Sequence, residues 1–301
     1  MSKISFYDQI SKNRRNSILL VTITFILFIS LIYVIAWVLA PALSLFFLII
    51  AAVIMVVHVY TSYNYGDRIV LAATNAKPAD AREHVYLINT VEGLAIAAGI
   101  PTPKIYVIES DEMNAFATGK DPAHASVAVT TGLLRNLNRS ELEGVIGHEL
   151  SHVKNYDIRF ATLVAAFVGL IAILSYLFLR SYRMAGLTRR EERERGGGLG
   201  VIIVLAGFIL AIFAPIAVRL VQAAISRRRE LLADASSVEL TRYPEGLASA
   251  LEKIMKINRG KMNVSEAVSH LFFVDPNKTT LDMLYDTHPP LEQRIKLLRS
   301  M

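Results

Sequence analysis

Residues 16–66 contain no Asp, Glu, Lys or Arg, and this apolar tract constrains the fold more than any other feature of the chain. The hydrocarbon core of a bilayer is about 30 Å thick and takes roughly 20 helical residues to cross. The tract is therefore long enough for two crossings and too long for one, so we predict membrane helices at residues 17–37 and 41–60. A cleaved signal peptide fits the first segment less well, because the apolar core of a signal peptide spans only about 7–15 residues.

Two more apolar segments follow, at residues 160–179 and from residue 199 to Arg219. Hydrophobic residues make up 53% of the chain and charged residues 19%, against about 45–50% and about 25% in soluble proteins. This composition argues against an ordinary soluble protein and against disorder. The net charge of +6 lies largely beside the apolar tracts, which suits a lipid bilayer with anionic headgroups and not nucleic acid. The chain has no cysteine, which excludes disulfides, thiolate nucleophiles and cysteine metal ligands.

The fold class that we predict is a mainly α integral membrane protein with four hydrophobic helices and an α+β catalytic domain that contains a small β-sheet. The domains expected along the chain are an N-terminal membrane hairpin, a first catalytic part, a second membrane hairpin with an Arg-rich loop, and a second catalytic part. Their predicted bounds are 1–60, 61–159, 160–224 and 225–301.

Within the first catalytic part, apolar residues at helical spacing predict a helix at residues 79–98. Short β-rich runs predict strands at residues 104–109 and 126–131. The segment between them, residues 113–119, fits either an edge strand or a loop. The second catalytic part is predicted to be mainly helical.

The pattern HELSH at residues 148–152 carries the chemistry. Ser140 and Glu143 have the spacing of a capping box, which predicts that a helix begins there. On such a helix, His148 and His152 lie one turn apart on the same side, where two imidazole nitrogens can bind one Zn²⁺ at about 2.0–2.1 Å. Glu149 is offset from that side and can act as general base on a metal-bound water. A chance match on a surface helix is the alternative interpretation.

A catalytic zinc usually has three protein ligands and one water, so a third ligand is needed. Glu230 and Asp234 form an acidic pair at i, i+4 on a predicted helix. Glu230 can serve as the ligand while Asp234 accepts a hydrogen bond from a histidine ring. The spacing fits equally well a solvated face next to the membrane, whose acids pair with the neighbouring arginines.

The order of these motifs resembles HtpX-type membrane zinc metalloproteases, which are relatives of the CAAX prenyl protease. The resemblance extends to three further segments: Asn114-Ala115-Phe116-Ala117-Thr118-Gly119, Ser226-Arg227-x-Arg229-Glu230-x-x-Ala233-Asp234-Ala235, and Thr287-His288-Pro289-Pro290-Leu291 followed by Arg294-Ile295. It covers nearly the whole chain in the right order. The Arg-rich hairpin loop is more basic than the resemblance leads us to expect.

The resemblance implies a gluzincin-like endopeptidase with one Zn²⁺ per chain, held by His148, His152 and Glu230. It implies a bacterial or archaeal cytoplasmic membrane as the location. The expected substrates are polypeptides, in particular unfolded or damaged membrane proteins removed in quality control.

Individual roles can be assigned on this basis. An extended substrate could pair with the main chain along the edge that begins at Asn114 and Ala115. His288 could donate a hydrogen bond to the developing oxyanion, or it could be a turn residue before the last helix. Asp157 is expected to end or anchor the motif helix and is given no catalytic role.

Ligand geometry constrains the topology, because residues that bind one ion must lie on the same side of the membrane. An even number of crossings therefore separates His148 from Glu230. With the basic residues Lys12, Arg14 and Arg15 inside, both catalytic parts face the cytoplasm. Six arginines between residues 180 and 195 then lie outside, against the positive-inside rule, so a shallow hairpin is the alternative to a full crossing.

Three other functions are less consistent with the sequence. An intramembrane protease would place the motif helix in hydrocarbon, but this helix is rich in charged residues. A metal-binding scaffold or sensor without hydrolytic activity has no need of Glu149 between the histidines. A transporter is disfavoured because the apolar segments contain almost no ionisable residues.

Overall fold

The computed structural model of the 301-residue chain describes residues 41–170, 176, 227–262, 264–277 and 289–301, with isolated helical positions between residues 15 and 33. The first predicted apolar segment lies mostly outside the described residues. The fourth segment and the Arg-rich loop before it lie entirely outside them. The predicted total of four hydrophobic helices therefore stays a prediction.

The described part is mainly helical with one small sheet. The helices are α1 (Ser44–Ala73), α2 (Val85–Ala98), α3 (Thr131–Asn136), α4 (Arg139–Lys154), α5 (helical residues 157–170), α6 (Arg227–Thr241), α7 (Pro244–Ile257), α8 (Glu266–Ser269) and α9 (Leu291–Leu298). The strands are β1 (Lys77–Pro78), β2 (Lys104–Ile108), β3 (Ala115–Gly119) and β4 (Ala125–Thr130). Short 3₁₀ helices occupy Pro41–Leu43 and Pro122–His124.

Helix α1 is 30 residues long, and over the described residues it alone is long and apolar enough to cross a membrane. Its first half exposes large apolar side chains, including Leu45, Phe46 and Ile49. One side of its last turns is buried, with Val70 and Leu71 in an apolar cluster of the catalytic part. The helix therefore continues through the boundary predicted at residue 60, because neither a proline nor a turn sequence interrupts it there.

The sheet has the strand order β1-β2-β4-β3. β2 and β4 are parallel, whereas β1 pairs with β2, and β3 with β4, in antiparallel fashion. The strands predicted at residues 104–109 and 126–131 are present as β2 and β4 to within one residue at each end. Of the two interpretations of residues 113–119, the edge strand is correct, since β3 closes one side of the sheet.

The helix predicted at residues 79–98 begins six residues late, at Val85. The side chain of Asp80 accepts hydrogen bonds from the main-chain N–H groups of Arg82 and Glu83 at 2.7 and 3.1 Å. This local turn competes with helix formation, and periodicity of apolar residues does not reveal it.

Helix α4 carries the HELSH motif and begins at Arg139, so the predicted capping box was wrong by two residues. Asn138 accepts from the N–H of Glu141, and the Glu141 carboxylate accepts from the N–H of Asn138, at 3.0 and 2.7 Å. Asn is as good an N-cap as Ser. Lys253 donates to Glu141 at 2.7 Å, which ties the cap to α7.

The core lies on both sides of α4. Its apolar residues Val145, Ile146 and Leu150 are buried together with residues of β3 and β4 on one side and with Leu247 and Leu251 of α7 on the other. Burying side chains of this size contributes about 1.5–3 kcal/mol each. The motif helix is thus the central element of the catalytic part and a rigid support for its polar residues.

Helices α4 and α6 approach closely because small residues face each other. A Cβ atom on Gly147 would lie 2.9 Å from Oγ of Ser237. The Ser237 hydroxyl donates to the carbonyl of Gly144 at 2.6 Å. This contact brings the first turn of α6 alongside the last turns of α4.

Candidate metal centre

Helix α4 places His148 and His152 one turn apart with their rings side by side. The ring centroids are 4.8 Å apart, and the two Nε2 atoms are 3.2 Å apart. His148 is buried and His152 is partly exposed. Both imidazoles therefore turn the same nitrogen towards one point.

Glu230 of α6 faces the same point from across the helix pair. Its carboxylate oxygens lie 3.6 Å from Nε2 of His148 and 3.5 Å from Nε2 of His152. Donor atoms of these three residues all lie within 4.8 Å of one another. Ligands at about 2.0–2.1 Å from a tetrahedral ion are about 3.3 Å apart, so the observed separations fit three vertices of a tetrahedron.

The second nitrogen of each ring is engaged by a carboxylate. Nδ1 of His148 lies 2.9 Å from Asp234, and Nδ1 of His152 lies 3.0 Å from Asp157. A carboxylate accepts, so each Nδ1 carries the proton and each Nε2 offers a lone pair. Two lone pairs and a carboxylate facing one another are favourable only with positive charge between them, which is the condition that a bound cation satisfies.

The electrostatics of His152 support the same conclusion. Burial is the largest influence and lowers its pKa, but the hydrogen bond to Asp157 and the charges of Glu230, Asp157 and Glu149 together raise the pKa to about 9. The surrounding carboxylates therefore favour positive charge at the position where the two rings meet.

Glu149 is buried and lines the same cavity as the two histidines and Glu230. Burial raises the pKa of its carboxyl group, while the nearby His148 and His152 oppose that rise. A buried carboxylate with a raised pKa next to a cation site can accept a proton from a metal-bound water.

Arg294 of α9 also reaches the candidate metal centre, although no role was predicted for it. Its guanidinium is buried and donates to both oxygens of Asp234, at 2.8 and 2.6 Å. Its Nη1 atom lies 3.8 Å from Glu230. Burial alone would raise the pKa of Asp234, but Arg294 and His148 outweigh burial and lower it.

The sequence does carry one signal for Arg294. Leu291, Ile295 and Leu298 form the apolar side of α9, and Arg294 lies on that side. An arginine on the buried face of an amphipathic helix needs a buried acid as partner.

Comparison with known proteins decides the family. Residues 81–301 match the model of Peptidase family M48. The chain belongs to peptidase family M48.

Relatives of this M48 peptidase are similar over its whole length. The Protease HtpX homolog of Caldanaerobacter subterraneus subsp. tengcongensis is 42% identical over 301 residues, which cover 100% of this chain and 99% of the relative. That of Dictyoglomus turgidum is 43% identical over 302 residues, covering 100% and 96%. That of Streptococcus gordonii is 41% identical over 296 residues, covering 98% and 99%.

The crystal structure of S. mikatae Ste24p is similar to this M48 peptidase with a TM-score of 0.51 at 20% identity. The similarity covers 90% of this chain, which spans 62% of the Ste24p chain. At this identity the likeness shows a shared fold. The resemblance to HtpX-type proteases expected from the motifs is confirmed, and the M48 peptidase is a metalloprotease that acts on polypeptides.

The remaining predicted site residues have different environments in the M48 peptidase. Asn114 and Ala115 are buried, and both bond within the chain to residues 273–274. Asp157 begins α5 and bonds to His152, so it does more than end the motif helix. His288 lies outside the described residues, and its role stays a prediction.

The cavity at the centre has a volume of about 50 Å³. Its polar lining includes His148, Glu149, His152 and Glu230, and its apolar lining includes Ala117 and residues 271–273. This volume has space for an ion and several water molecules.

Proposed function

We propose that the protein is a zinc-dependent endopeptidase of the HExxH-plus-glutamate type, with His148, His152 and Glu230 as the metal ligands. The observation that carries this proposal is the convergence of their donor atoms at 3.2–3.6 Å. Both histidine rings are oriented by carboxylates on their other nitrogens. Two imidazoles and one carboxylate are a common ligand set of catalytic zinc.

A zinc ion bound there would supply a Lewis acid that polarises the scissile carbonyl and lowers the pKa of a bound water to about 7. Glu149, buried beside this position, would accept a proton from the attacking water and pass it to the leaving amine. Asp234 and Asp157 hold the two imidazoles in the tautomer that leaves Nε2 free for the metal. Arg294 neutralises Asp234, which keeps that carboxylate ionised although it is buried.

We assign His288, by its place in the Thr287–Leu291 motif, to the developing oxyanion. The substrates proposed are unfolded or damaged membrane proteins, cleaved in quality control. The supporting observation is α1, which runs from an exposed apolar half directly into the catalytic core. The proposed location is a prokaryotic cytoplasmic membrane that the chain crosses more than once, with the metal centre on the cytoplasmic side.

The test is cleavage of unfolded casein by protein purified in detergent with a chelator and then loaded with zinc. Glu149→Gln should keep the metal and lose activity by about 100-fold or more, since general acid–base catalysis contributes about 10²–10⁴-fold. Glu143→Gln is the matched control, because Glu143 lies on the same helix and pairs with Arg139 at the surface. It should retain both metal and activity.

Two results would contradict the proposal. Full activity of metal-loaded Glu149→Gln would show that Glu149 is not the general base. Tight zinc binding without any hydrolysis in the wild type would favour the metal-binding scaffold or sensor instead.

A further inference from the structure

The outer edge of β3 is occupied by the chain itself. The N–H of Phe273 donates to the carbonyl of Ala115 at 2.8 Å. Phe272 and Phe116 form an antiparallel β-bridge. This is the edge on which an extended substrate was expected to pair with the main chain.

Asn114 prolongs this pairing with its side chain. Its Nδ2 donates to the carbonyl of Val274 at 2.7 Å, and its Oδ1 accepts from the N–H of Val274 at 3.2 Å. The side-chain amide thus makes the two bonds that the main chain of a neighbouring strand would make. Leu271–Val274 is therefore held along the edge of β3 by one β-bridge and these hydrogen bonds, and we call this segment the inner strand.

The side chains of the inner strand reach the catalytic centre. The ring centroids of Phe273 and His148 are 4.8 Å apart. The guanidinium carbon of Arg294 also lies 4.8 Å from the Phe273 ring centroid. The ring of Phe272 packs against that of Phe116 at 4.9 Å. All three of Leu271, Phe272 and Phe273 line the small cavity at the centre.

The inner strand thus forms one side of the cavity at the centre and occupies the β3 edge at the same time. A substrate that pairs with the main chain of β3 needs this same edge. We call the described state, with the inner strand on β3, the closed arrangement.

We propose that the inner strand is an autoinhibitory strand and that a substrate binds by replacing it along β3. The partner that this surface fits is an extended polypeptide, which can supply main-chain hydrogen bonds to Ala115 and an apolar side chain in place of Phe272 or Phe273. A folded protein offers no such free strand, so the closed arrangement selects for unfolded segments. This inference rests on the proposed endopeptidase function and adds its regulation.

Displacement of the inner strand requires another apolar segment in its place, because Leu271, Phe272 and Phe273 are buried. At the base of the loop, Asn277 donates to the carbonyl of Val264 at 2.6 Å and accepts from its N–H at 2.9 Å. These bonds join the two ends of the loop and involve neither β3 nor the metal ligands.

The test is Asn114→Ala, which removes both side-chain bonds to Val274 and none to the metal ligands. The zinc-loaded variant should cleave a synthetic unfolded casein peptide about tenfold faster at low substrate concentration, because lost hydrogen bonds raise the population of the open form. If Asn114 instead positions the substrate, cleavage should slow down, and the inference is wrong.

Asn258→Ala is the matched control. Asn258 is also buried, and its side chain makes the same two kinds of bond, at 2.8 and 2.9 Å, to the main chain of Met113, the residue before Asn114. It does not touch the inner strand. Loss of the Asn258 side chain should lower the free energy of unfolding without accelerating cleavage. Equal acceleration of cleavage in Asn114→Ala and Asn258→Ala would overturn the proposal.

A second measurement does not depend on the folding of a destabilised variant. Glu149→Gln loaded with zinc is mixed with a saturating concentration of the casein peptide, and amide hydrogen exchange is followed at residues 271–274. Exchange there should accelerate while exchange in β4 does not. Continued protection of residues 271–274 in the saturated complex would exclude replacement, whereas a wild type without hydrolytic activity would refute the proposed function itself.

Discussion

Asp234 serves two buried partners at once, Nδ1 of His148 and the guanidinium of Arg294. The acid orients the imidazole, and the arginine compensates the charge of the acid. Each of these groups is buried, and a buried charge without a partner is costly. The metal centre therefore depends on α9 although α9 supplies no metal ligand.

Replacing Arg294 tests this dependence. Arg294→Met leaves the Asp234 carboxylate buried without its cation, which should lower the free energy of unfolding by about 3–5 kcal/mol. The double variant Arg294→Met/Asp234→Asn should recover part of this loss, because no unpaired charge remains. Thermal or denaturant unfolding of the purified protein in detergent measures the difference.

Arg299→Met is the control for that experiment. Arg299 directly follows the last residue of the same helix and makes hydrogen bonds to Glu245 and Glu252, but these groups are at the surface. Exposed ion pairs contribute little, so this variant should be far more stable than Arg294→Met. Equal stability of the two single variants would contradict a structural role for the buried guanidinium.

The residue scale also explains what the sequence could and could not predict. His148 and His152 follow a spacing fixed by helix geometry, so the sequence itself identifies them as candidates. Glu230 was expected as the third ligand from the resemblance, since its spacing to Asp234 fitted a solvated helix face equally well. Arg294 was missed because its partner Asp234 is distant in sequence and only tertiary packing brings them together. The Asn114 side chain was expected to meet substrate, yet in the closed arrangement it holds Val274.

At the scale of elements, the packing of α4 on α6 sets the distance between the histidines and Glu230. Gly147 directly precedes His148, and a Cβ atom at this position would come too close to the Ser237 side chain. The periodicity of apolar residues predicts that these helices exist, but it gives no information about the distance between them. The same limit applies to helix ends, since the Asn138 cap and the Asp80 turn depend on single side-chain bonds.

Gly147→Ala should therefore weaken zinc binding. The added Cβ would lie 2.9 Å from Ser237 Oγ, so the hydroxyl must leave the Gly144 carbonyl or α6 must shift. Either change loosens the contact between the helices that positions Glu230. We expect about tenfold weaker zinc affinity, comparable to the loss of a group that orients a ligand. Competition with a chromophoric chelator measures it.

Two further variants make the interpretation specific. Gly93→Ala in α2 adds the same methyl group where no heavy atom lies within 4 Å, and it should bind zinc as the wild type does. Gly147→Ala/Ser237→Ala removes the clashing hydroxyl and should regain affinity relative to Gly147→Ala. If Gly147→Ala binds zinc as tightly as Gly93→Ala, helix separation does not control the site.

At the scale of the whole molecule, α1 links the apolar N-terminal part to the catalytic core. Val70 and Leu71 are buried in the same cluster as Phe116 of β3. Nearer the N-terminus of α1, the centroid of the Tyr63 ring lies 5.6 Å from the ammonium group of Lys120 and 5.9 Å from the guanidinium of Arg159. Aromatic and basic residues at this level are typical of a membrane interface, which supports a catalytic part that rests on the bilayer surface.

Topology can be tested with single cysteines because the chain has none of its own. If residues 160–224 cross the membrane twice, Thr188→Cys in the Arg-rich loop should react with an impermeant maleimide in intact cells. Ser300→Cys, exposed at the end of the catalytic part, should react only after permeabilisation. Protection of Thr188→Cys in intact cells would favour the shallow hairpin, which also leaves His148 and Glu230 on one side. Labelling of Ser300→Cys in intact cells would place the metal centre outside the cytoplasm and would contradict the orientation expected from Lys12, Arg14 and Arg15.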